Sequence, residues 1–143
     1  MTDDEILIAT FEAGNEPPGG FHHREHVRVA WYYLQHSPLP EALVRFSTNL
    51  RRFADARGKP NLYHETITTA YMLLINERLD ADARRLAWPA FAERNADLLT
   101  WTPSALDRYY TTETLMSERA RRTFVMPDRG WSCYRLGCVA AHG

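Results

Sequence analysis

An all-α fold, a single-domain helical bundle, is what this sequence predicts, and three observations predict it. Apolar residues recur at three- and four-residue spacing through most of the chain. The prolines and glycines fall between these runs, at Pro17-Pro18-Gly19-Gly20, at Pro38 and Pro40, and at Gly58 and Pro60. A length of 143 residues with 45% apolar and 24% charged side chains is one ordinary globular domain with enough chain to bury a core.

The first helix is expected over residues 3 to 13. Asp3 and Asp4 favour its positive N-terminal end, and Ile6, Leu7, Thr10 and Phe11 share a side. A second helix runs from about 22 to 36. Val27, Ala30, Trp31 and Leu34 form its buried stripe, and one turn earlier that stripe reaches His23, with His26 beside it. His22 falls to the side with Val29 and Tyr33. The third helix covers about 40 to 57, with Pro40 in its first turn and Leu43, Phe46, Leu50, Phe53 and Ala54 inward. The fourth starts near Tyr63 or His64 and ends about Arg78, with Ile67, Tyr71, Leu74 and Ile75 as its stripe. Thr66, Thr68 and Thr69 weaken it and make a strand the competing assignment; length and spacing favour helix.

Residues 80 to 86 read as a linker or short helix, and 88 to 99 as a helix opened by Trp88-Pro89. A turn follows at 103 to 106, and a last helix covers 112 to 122, stopped by Met126-Pro127 and Gly130. The expected division is a helical bundle over 1–130 and a flexible tail over 131–143, where no apolar period is present. Cys133, Cys138 and His142 in that tail match no common zinc module.

Formal net charge is −1, and acids interrupt the one Arg- and Tyr-rich stretch around Arg108 and Arg119 to Arg122, which argues against nucleic acid. No apolar run approaches membrane length, and the acidic start is unlike a secretory leader. Two cysteines do not make a disulfide scaffold, so a cytoplasmic setting is expected. The expected partner is a small-molecule substrate, with no nucleic acid and no membrane. No Gly-rich phosphate loop or nucleophile elbow is present.

Function is sought in the histidines. Phe21-His22-His23-Arg24-Glu25-His26 and Tyr63-His64-Glu65-Thr66 hold four of the six. If helices two, three and four pack consecutively as antiparallel neighbours, the second and fourth are parallel and their N-termini meet. His23, His26 and His64 would then converge. Helix N-termini and burial both keep imidazole neutral, the form that ligates metal. Three such ligands with a position left open describe a catalytic site for a divalent transition metal: zinc, iron, copper or nickel. Glu65 would handle protons or orient a ligand, Tyr71 would shape the pocket, and Arg78 would charge it, or pair internally with Glu77 or a carboxylate on another helix. The leading expectation is a metal-dependent enzyme acting on a small polar or anionic substrate. The alternative is a metal-free helical ligand-binding or protein-interaction module, in which the histidines cap helices, stack and hydrogen-bond.

The runs FHHREHVRVAWYYL, YHETITTAY, RYYTTETL and FVMPDR resemble a family of small bacterial helical proteins marked by F-H-H-x-x-H and Y-H-E-T. The likeness spans most of residues 5 to 129, implies one helical domain with these histidines as landmarks, and supplies no reaction. A looser similarity is to DinB-like four-helix metalloproteins, which use three histidines in a bundle. Their histidine spacing differs, so that comparison rests on architecture alone.

Overall fold

Thr2 begins the first helix by a reciprocal cap: its hydroxyl accepts the Glu5 N–H at 3.1 Å and the Glu5 carboxylate accepts the Thr2 N–H at 3.3 Å. The computed structural model describes residues 1–130, so the expected tail and its cysteines lie outside the described residues. Helix α1 (Asp3–Glu12) buries Leu7, Ile8 and Phe11. Ile6, expected inward, is 48% exposed. Residues 7, 8 and 11 are neighbours on the helix surface, and Ile6 lies beyond the edge of their stripe.

Helix α2 (His23–His36) buries Val27, Ala30, Trp31 and Leu34 as the spacing predicts, and Val29 and Tyr33 as well. These last two are enclosed because α1 and helix α3 (Leu39–Ala56) both pack on α2. The Tyr33 hydroxyl donates to Glu12 at 2.9 Å, which satisfies its one polar atom at the α1 junction. Helix α3 has Pro40 in its first turn and buries Phe46, Leu50 and Phe53. Gly58, at φ +65°, ends it: its N–H reaches Asp55 O and the Lys59 N–H reaches Ala54 O.

A single 3-10 turn, Pro60–Leu62, leads into helix α4 (Glu65–Glu77), and α2, α3 and α4 pack against one another. The short α2–α3 and α3–α4 connections bring the N-termini of α2 and α4 to the same end. The threonines of α4 form no strand. Thr66 is fully buried; its hydroxyl donates to Thr123 O at 2.8 Å and accepts the Val125 N–H at 3.1 Å. It thereby stitches the segment after the last helix onto α4.

The expected helix over 88 to 99 is two, α5 (Trp88–Arg94) and α6 (Ala96–Leu99), parted at Asn95 (φ −119°, ψ 42°). Asn95 closes α5 with its backbone N–H and its side-chain Nδ2, both donating to Phe91 O at 3.0 Å. The expected helix over 112 to 122 likewise divides into α7 (Thr112–Leu115) and α8 (Glu118–Arg122). Ser117 starts the second piece by accepting the Ala120 N–H. Asp128 then holds α7 from below, accepting from the Thr111 N–H and hydroxyl and from the Thr114 hydroxyl. Those three donors draw its carboxyl down to about 2. The chain is all-α, with eight α-helices and no strand among the described residues.

Candidate functional site

Where the N-termini of α2 and α4 open side by side, the bundle leaves a cleft of about 560 Å³. Its walls are mainly apolar, drawn from α2, α3 and α4, and His22, His23, His26 and His64 all face it together with Tyr71. This volume and lining are those of a small-molecule site. A second, smaller groove of about 390 Å³ lies between α4 and the segment after α8, lined in part by Leu73 and Met126.

The four imidazoles have different bonding. His64 is the N-cap of α4: its Nδ1 accepts the Ile67 N–H at 3.1 Å, while its Nε2–H donates to Leu115 O at 2.7 Å. Both ring nitrogens are engaged, and the ring must be neutral to hold both bonds. Burial, assisted by the nearby Arg121 charge, lowers its pKa. His23 Nε2–H donates to Leu98 O at 2.8 Å, and Nδ1 has no hydrogen-bond partner among the described residues; burial lowers its pKa too. His22 donates through Nε2 to Gly19 O at 2.9 Å. That loop needs Gly20, at φ +95°, because a Cβ there would come within 2.8 Å of the His22 ring.

His26 is the exception. It makes no side-chain hydrogen bond among the described residues, and its ring stacks at a tilt on Phe21 with centroids 4.4 Å apart. Its pKa falls to about 4, first from burial and then from the neighbouring His23 and His22. Its nitrogens are not sealed in protein; among the described residues the Trp31 indole N–H alone is both buried and unpartnered. The cleft thus presents a neutral, unoccupied imidazole at physiological pH.

Aromatic rings complete the wall near His23. Tyr71 meets His23 edge-on at 4.8 Å between centroids, and Trp101, 52% exposed, lies 5.1 Å from the His23 ring. The Tyr71 hydroxyl shares a hydrogen bond with Ser104 at 2.7 Å, and burial raises its pKa.

Of the residues singled out in the sequence, His23, His26, His64 and Tyr71 come together and Glu65 and Arg78 do not. Glu65 accepts from Arg51, from the Tyr63 hydroxyl at 3.0 Å and from Thr69, all on the α3 side. Arg78 ends α4 and grips the Asp97 carboxylate with two bonds of 2.7 Å, and Asn95 with one of 3.1 Å. It is the internal pairing with another helix, and it anchors the α5–α6 corner. Among the described residues no three His, Cys, Asp or Glu side chains stand together as a metal-holding group. Sequence reasoning missed Trp101, Arg57, Arg121 and Met116 as lining residues. Trp101 and Met116 lie in turns of the structure, and neither arginine falls on an expected apolar stripe. The chain matches no protein-family model, no curated protein and no solved structure.

Proposed function

We propose that this protein binds a small, largely apolar molecule in the cleft at the shared end of α2 and α4, without a metal. The observation that carries this is the bonding of the histidines within apolar walls. His64 has both ring nitrogens committed to the fold, and His23 has one. A metal held by all three would have to take His64 Nδ1 from the cap of α4, or take Nε2 and with it both bonds, so at least one hydrogen bond is lost in a buried setting. Acid–base catalysis is disfavoured by the same groups, since an imidazole at about 4 is a weak base at neutral pH. What suits binding is an apolar cavity with one free hydrogen-bonding ring deep inside and stacking surfaces at Trp101 and Tyr71.

Methyl-resolved NMR with a neutral two-ring probe, 2-naphthamide, tests this. Saturable shifts at Val27, Leu50, Ile67 and Met116, with Leu73 and Met126 still, support the reading. Shifts confined to the second groove, or none at millimolar probe, contradict it.

A further inference from the structure

We infer that the cleft's ligand is an organic anion, a ring-bearing apolar body with a carboxylate or similar acid group. This inference rests on the cleft being a ligand site and names the class of ligand. Among the described residues lining the cleft there is no Asp or Glu, whereas Arg57 and Arg121 both line it. Each arginine is held through part of its fork. Arg57 donates through Nε to Glu16 at 3.1 Å and through Nη1 to Gly14 O; Arg121 donates through Nη1 to Asn61 O. In each the second terminal nitrogen, Nη2, makes no hydrogen bond among the described residues. Their partner carboxylates are open to water, with Glu16 at 54% and Glu118 at 69% side-chain exposure, so the pairing neutralises little inside the cleft.

The helix termini act in the same direction. Helices of 14 and 13 residues both present their N-terminal ends here, each equivalent to roughly half a positive charge. Neither acid of their first turns lines the cleft: Glu25 caps α2 by accepting the His22 N–H at 2.8 Å, and Glu65 pairs with Arg51 of α3. His26 supplies the unpartnered polar group inside. A cationic ligand would find no lining carboxylate to replace its hydration.

A matched series separates the possibilities: 2-naphthoate, 2-naphthamide and 2-naphthylmethylammonium titrated calorimetrically into the full chain at pH 7.5. The acid is expected to bind about tenfold or more tighter than the amide, with the ammonium weakest. Arg121→Gln and Arg57→Gln should each narrow the acid's lead over the amide, with melting temperature checked for both. Equal affinity for acid and amide, or preference for the ammonium, overturns the anion inference and leaves the cleft reading standing. If none of the three binds, both fall together.

Discussion

His26 stores a pH dependence that can be read directly. Its folded pKa of about 4 lies below the ordinary 6.5, so between these values the unfolded chain takes up a proton that the folded chain refuses. Stability is therefore full above pH 6.5 and falls as pH drops toward 4, by on the order of 2 to 3 kcal/mol from this residue. His23 and His64, also lowered, add in the same sense. Urea unfolding at pH 7 and pH 4.5 should show the loss, and His26→Phe should flatten it; an equal slope in the variant would contradict the assignment. His64 tests the cap. His64→Asn keeps a cap acceptor but loses the Leu115 bond, and should cost about 1 kcal/mol; His64→Ala loses both and should cost about 2 to 3. Identical midpoints for the two would show that the cap contributes nothing.

At the scale of elements, the helices were legible wherever burial imposes a period. The stripes of α2 and α3, the proline entry to α3 and the glycine exit at Gly58 were readable because each is a local rule. The breaks at Asn95 and Ser117 were not, although the Ser117 cap on the Ala120 N–H is itself local. Asn95 is held by Arg78, a contact that exists only once the chain has folded. Thr66 shows the same limit. A residue that weakens helix propensity is kept because its buried hydroxyl serves two backbone groups of the 123–125 segment. Thr66→Val preserves shape and leaves those groups unpaired, so it should cost roughly 2 kcal/mol or more, measured by chemical unfolding. A neutral result would mean water replaces the hydroxyl. The Arg78–Asp97 pair is half-open to solvent, and a double-mutant cycle should return a coupling of only about 0.5 to 1 kcal/mol. Ligand affinity should be unaffected in both single variants.

Across the whole molecule, the meeting of the two histidine motifs was legible from topology alone, because short connections force α2 and α4 parallel. The condition of those histidines was not. The carbonyls that occupy them, Leu98 for His23 and Leu115 for His64, lie 75 and 51 residues away in sequence. Residue type and spacing alone suggested ligands for a metal; they could not show that His23 and His64 each donate an Nε2–H to a backbone carbonyl. Metal-free binding in the cleft is the property everything above depends on. The most direct measurement is calorimetric titration of 2-naphthoate into untagged, chelator-treated protein, repeated after adding one equivalent of zinc, iron(II), copper or nickel. One saturable site per chain with the same affinity in every arm is expected. Binding that is absent after chelation and returns with one of the metals would contradict it and restore His23, His26 and His64 as ligands.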